Sequence, residues 1–172
     1  MLNKTVMALL LGVLLLSACS SPAEQKAQSQ AAEAELSAKR ALSDFFAAVD
    51  KRDWERVEQL IASDFEFYTD DSTTLNREEF IKAMKEDDMK IAKFELKDLK
   101  ISLSQDQQMA WAKYHAYMES SVRGQPYNMM SAETVALRRE GGYWKLTHNH
   151  ASIKRLNDNA LLLDGEKENR RH

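Results

Sequence analysis

"GGYWKLTHNHAS", residues 141–152, turns the chain through two glycines into a run whose side chains alternate in character. Paired glycines tolerate the positive φ that a tight hairpin turn demands, so the segment reads as the second arm of a β-hairpin. Successive strand residues point to opposite faces. Regular alternation therefore groups Trp144, Leu146, His148, His150 and Ser152 on one face, and Tyr143, Lys145, Thr147 and Asn149 on the other. The second group is polar, which sends the first inward and makes His148 and His150 candidates for interior chemistry.

The same test extends backwards. On the first arm, about 128–139, Met129, Glu133, Val135 and Leu137 share the more apolar parity, so Glu133 is expected inside with them. "RGQPY" (123–127) separates this arm from an earlier strand over about 109–121. There Ala110, Ala112, Tyr114, Ala116 and Met118 carry no charge and are expected to face in. Trp111, Lys113, His115, Tyr117 and Glu119 mix rings with charges and face out as a candidate partner surface. Phe94 and Leu96 alternate in one phase, and Leu99, Ile101 and Leu103 in the other, which requires a bulge near Lys97–Asp98. Four such runs make an antiparallel meander.

Upstream the period changes to that of a helix. Leu42, Phe45, Phe46 and Val49 form one apolar stripe until "DKRD" (50–53) interrupts it. Asp53 can cap a second helix carrying Trp54, Val57, Leu60 and Ile61. "SDFEFYTDD" (63–71) reads as a short strand or extended loop, and Asn76 with Glu79 forms a capping box opening a third helix through Phe80, Ile81 and Met84. The expected fold is α+β, with N-terminal helices packed on a curved antiparallel sheet.

The chain starts "MLNKTVMALLLGVLLLSAC" (1–19), with Lys4 ahead of an apolar run from Val6 to Leu16. Leu16-Ser17-Ala18-Cys19 matches a bacterial lipobox, so residues 1–18 are expected to be a lipoprotein signal peptide and Cys19 the acylated residue. Cys19 is the single cysteine, which leaves no disulfide to form within the chain. Residues 19–33 then serve as lipidated cysteine and polar tether, turning helical at the alanine-rich end. Residues 34–156 are one domain, and 157–172 a polar tail with Leu161–Leu163 its apolar patch. Ser20 and Ser21 after the cysteine resemble Gram-negative lipoproteins sent to the outer membrane, facing the periplasm. Loss of Lys4 with the signal takes the formal charge from −3 to −4. A mildly acidic domain without a basic stripe is not a nucleic-acid binder.

"ALSDFFAAVDKRDWERVEQLIASDFEFY" (41–68), "AWAKYHAYMES" (110–120) and "ETVALRREGGYWKLTHNHAS" (133–152) together resemble the nuclear transport factor 2-like superfamily, specifically its SnoaL-like bacterial members. The resemblance spans about 35–155. It implies a sheet wrapped around helices into a cone with a cavity, and a homodimer through the sheet's outer face. It leaves the chemistry open, because that fold hosts isomerases, dehydratases, hydrolases and binding modules. Combined with the parity above, it makes Tyr114, Glu133, Trp144, His148 and His150 the expected ligand-binding residues.

Three roles are open to the histidines. A metal site needs at least three ligands; with Cys19 acylated and His115 outward, Glu133 is the best third, and no metal is expected. Acid–base catalysis without a cofactor would join His148 or His150 to Glu133 and Tyr114, in a lyase, isomerase or hydrolase. The ketosteroid isomerase pattern, however, meets Thr69 where its aspartate would stand, and Asp70 falls on the opposite face. In the third role the histidines shape the cavity by bonding neighbours. The leading expectation is a lipid-anchored domain that binds a small apolar or amphipathic ligand or a protein partner. The enzyme is the alternative, and a docking module using Trp111 to Tyr117 is the third.

Overall fold

The computed structural model describes residues 21–86 and 89–156. Cys19, the expected signal peptide and the expected polar tail lie outside the described residues.

Helix α1 runs Pro22–Asp50. Ser21 caps it: its hydroxyl accepts from the Glu24 N–H at 3.2 Å, while the Glu24 carboxylate accepts from the Ser21 N–H at 2.7 Å. Alanine and glutamine favour helix, and Pro22 suits the first turn. The expected polar tether is therefore helical from Pro22. Buried Ala34, Ala38, Leu42, Phe45 and Ala48 form the stripe that docks on the sheet. Residues 22–30 are exposed, so the first turns project as a stalk.

Arg52 adopts φ 55°, which ends α1, and Asp53 caps α2 (Trp54–Leu60) by accepting from the Arg56 N–H at 3.0 Å. Ile61, grouped with that helix by its apolar character, instead begins β1 (Ile61–Thr69). After β2 (Thr74–Asn76), the capping box between Asn76 and Glu79 opens α3 (Arg77–Glu86), with both reciprocal bonds at 3.0 Å. Then follow β3 (Met89–Leu103), β4 (Met109–Val122), β5 (Gln125–Pro126), β6 (Asn128–Glu140) and β7 (Tyr143–Leu156).

The sheet order is β2-β1-β7-β6-β4-β3, with β5 paired to β4. Strand β1 runs parallel to β7, so the sheet is mixed rather than wholly antiparallel. The β7 edge is free after the hairpin closes, and Phe65 and Phe67 bring β1 onto it from the helical side. The bulge demanded near Lys97–Asp98 is present: the β3–β4 register shifts between Lys97 and Lys100, and Asp98 has φ 56°. The alanine face of β4 is buried, and Trp111, Lys113 and His115 are exposed.

A further bulge corrects the last strand. Leu137 pairs with Leu146, but Ala136 pairs with His148, which leaves Thr147 as an extra residue. Its hydroxyl donates to the Ala136 carbonyl at 3.3 Å. Beyond it the phase reverses. Asn149 and Ala151 are buried and join Trp144 and Leu146 on the inner side, whereas His150 and Ser152 are exposed. Neither His148 nor His150 points into the domain.

Candidate functional site

Helices α1 and α3 leave part of the inner sheet face uncovered. The result is an open cavity of about 760 Å³. Its walls include Phe45, Phe46, Phe67, Phe80 and Phe94, with Met84, Met89, Met118 and Met129. The rings brace one another: Phe46 lies 4.8 Å from Phe94 and meets Tyr114 edge-on at 5.7 Å. Five phenylalanines and four flexible methionines make a wall that adapts to apolar shapes.

Asp50 and Lys93 also line the cavity, and a hydrogen-bonded polar cluster is set into the wall. Glu133 reaches the cavity from β6, and its carboxylate collects three donors: the Tyr114 hydroxyl at 2.7 Å, the Ser131 hydroxyl at 2.6 Å and the Asn149 amide at 3.2 Å. Sheet register explains the convergence. Tyr114 on β4 sits opposite Glu133, Ser131 shares its face two residues away, and the Thr147 bulge rotates Asn149 of β7 towards it. Burial, reinforced by the Glu133 carboxylate, pushes the Tyr114 phenol far above its usual range. It is a fixed donor, not a proton shuttle. Asn149 is 6% exposed, and its Oδ1 has no hydrogen-bond partner among the described residues. A buried acceptor in that condition is uncommon and marks a place where something can donate.

The expected binding residues thus divide. Tyr114 and Glu133 meet at the cavity floor. Trp144 does not line the cavity: it is buried between β7 and α1, donating to the Ser37 hydroxyl at 2.8 Å beneath the Arg139 guanidinium at 5.0 Å. His148 packs against Tyr68 on the outer face, with tilted rings whose centroids are 5.0 Å apart, and His150 is exposed there. Both histidines stand across the sheet from Glu133, so neither the metal set nor the acid–base set is assembled. Thr69 bonds Asp71, and Asp70 accepts from Ser152 at 3.2 Å, both among exposed groups away from the floor. Sequence reading missed Asn149 and Ser131. Apolar Ala151 and Ile153, out of phase with Trp144 and Leu146, carried the signal for Asn149.

The model of the SnoaL-like domain matches residues 38–155, and the chain belongs to that family. No curated protein matches it in sequence. Among solved structures, it is similar to an NTF2-like protein with a cystatin-like fold from Novosphingobium aromaticivorans, at 15% identity and a TM-score of 0.64, over 84% of this chain and 97% of that one. A conserved protein from Planctomyces limnophilus aligns at 19% identity and 0.62, over 71% and 97%. An NTF2-like protein of unknown function in nutrient uptake from Rhodospirillum rubrum aligns at 19% and 0.62, over 67% and 97%. At these identities the likeness establishes the α+β cone fold and nothing finer.

Proposed function

We propose that this protein is a lipid-anchored binding module of the cell envelope, holding a small amphipathic molecule in the cone. One observation carries the reading: a cavity of about 760 Å³ with largely apolar walls and a hydrogen-bonded polar floor built on Glu133. Its volume suits a compact ligand, and one polar cluster in an apolar wall orients such a ligand by one end. Acylation of Cys19 would hold the module at the membrane, with α1 beginning three positions later as a stiff spacer. On this account Cys19→Ser moves the protein from the membrane to the soluble fraction.

The binding claim is tested by calorimetry on the full chain in phospholipid nanodiscs, with butylbenzene as a neutral probe and empty nanodiscs as the blank. Ala47 lines the cavity mouth on an exposed side of α1, so Ala47→Trp obstructs entry without disturbing the core. The unaltered chain binds the probe with one-to-one stoichiometry, and Ala47→Trp weakens binding at an unchanged melting temperature. A probe that ignores Ala47→Trp binds elsewhere and defeats the reading.

Trp111 and Met130, 41% and 45% exposed on the outer sheet face, favour a companion role for that surface as a homodimer contact. Trp111→Glu should then lower the sedimenting mass to that of one chain.

A further inference from the structure

We propose that the cavity floor selects a hydrophobic amine, seating a protonated primary ammonium between Glu133 and Asn149 with its apolar body among Phe46, Phe67, Phe94 and Met118. The proposal deepens the ligand-binding reading and rests on it.

The floor is asymmetric in hydrogen-bonding character. All three partners of the Glu133 carboxylate among the described residues are uncharged, so its negative charge meets no cation among them. Among the described residues, Glu133 Oε1 receives Ser131 alone, which leaves room for another donor. The Asn149 amide nitrogen is committed to Glu133, and that bond fixes Oδ1 as the free acceptor. The vacancies at the floor are therefore acceptors beside a negative charge. A ligand must bring N–H or O–H groups to satisfy them.

Head groups rank on that basis. A primary ammonium brings three donors and a positive charge, enough to reach Asn149 Oδ1 and Glu133 together. A hydroxyl brings one donor and no charge. A carboxylate or phosphate brings acceptors and a charge of the same sign as Glu133, which repels it. Lys93 also lines the cavity, but its ammonium is held by Glu95 at 2.9 Å and sits over the Tyr117 ring. The phenylalanine faces add attraction for a cation that alkyl walls would not.

The test is a matched series titrated into the full chain in nanodiscs: 4-phenylbutylamine, its N-trimethyl derivative, 4-phenylbutan-1-ol, 4-phenylbutyrate and butylbenzene. The amine should bind about tenfold tighter than the alcohol, the yield of one charge-assisted hydrogen bond. The trimethyl compound keeps the charge but has no N–H, and should lose most of that advantage. The butyrate should bind more weakly than butylbenzene. Glu133→Gln should bring amine and alcohol within about threefold of each other. Equal binding of amine and alcohol, or a trimethyl compound as tight as the amine, overturns the assignment without any variant having to fold. In either case, butylbenzene binding that Ala47→Trp weakens leaves the cavity reading standing. Failure of butylbenzene to bind at all removes both.

Discussion

Tyr114→Phe isolates the bond on which the cavity floor depends. The ring is buried, 3% exposed, and its edge-on contact with Phe46 survives the substitution. What disappears is one hydroxyl donor at 2.7 Å from a carboxylate. Hydrogen bonds to charged groups contribute about 1.5–3 kcal/mol. For a domain of this size that corresponds to a fall in Tm of roughly 5–10 °C. Thermal unfolding followed by tryptophan fluorescence measures it, because Trp144 is buried and reports on the core. The pH dependence supplies a second signature. Burial raises the Tyr114 pKa from 10.0 in the folded state, so its contribution is complete below pH 10 and fades as pH climbs past the unfolded value. The stability gap between the parent and Tyr114→Phe should therefore narrow above about pH 10. Tyr68 and Tyr117 are also raised, by Glu66 and by burial respectively, but both chains carry them and they cancel in the difference. A Tyr114→Phe chain as stable as the parent, or a gap that does not narrow in alkali, would refute the geometry of the floor.

Other consequences are simpler. His150→Ala should change stability by less than about 0.5 kcal/mol and leave butylbenzene affinity untouched, since the side chain is exposed on the outer face; calorimetry and a melt check both. Asn76→Ala breaks the α3 capping box and should cost about 1 kcal/mol in urea unfolding. The Arg138 hydrogen bond lowers the Asp64 pKa from 3.8, so its stabilisation is present above that value and is lost as pH falls through the lower folded pKa. Carboxyl NMR should see the Asp64 titration return towards 3.8 in Arg138→Gln, and added salt should weaken the shift because both groups are substantially exposed.

Local signals were legible in the sequence wherever the cause is local. Asn76 and Glu79 are three residues apart and satisfy each other's backbone groups, so their capping box needed no tertiary information. The phase change between Leu96 and Leu99 announced the β3 bulge, and five uncharged side chains announced the inner face of β4. Non-local causes stayed hidden. The parallel pairing of β1 with β7 depends on which sheet edge is left free after the hairpin forms. The Thr147 bulge was masked because Thr147, His148 and Asn149 are all polar, and one extra residue exchanged histidines for asparagine at the cavity. Strand parity is that sensitive: a one-residue slip moves a whole face. Glu133 and Tyr114 were found because no bulge separates them from the apolar residues that set their phase.

Met129 and Met130 are adjacent in sequence, yet Met129 lines the cavity and Met130 is exposed on the outer face. Methyl NMR of the labelled methionines during titration with butylbenzene therefore reads the occupied side of the sheet directly. Shifts at Met118 and Met129 with a silent Met130 are the expected result. A moving Met130 with unresponsive Met118 and Met129 would place the ligand on the wrong face and contradict a binding cavity inside the cone.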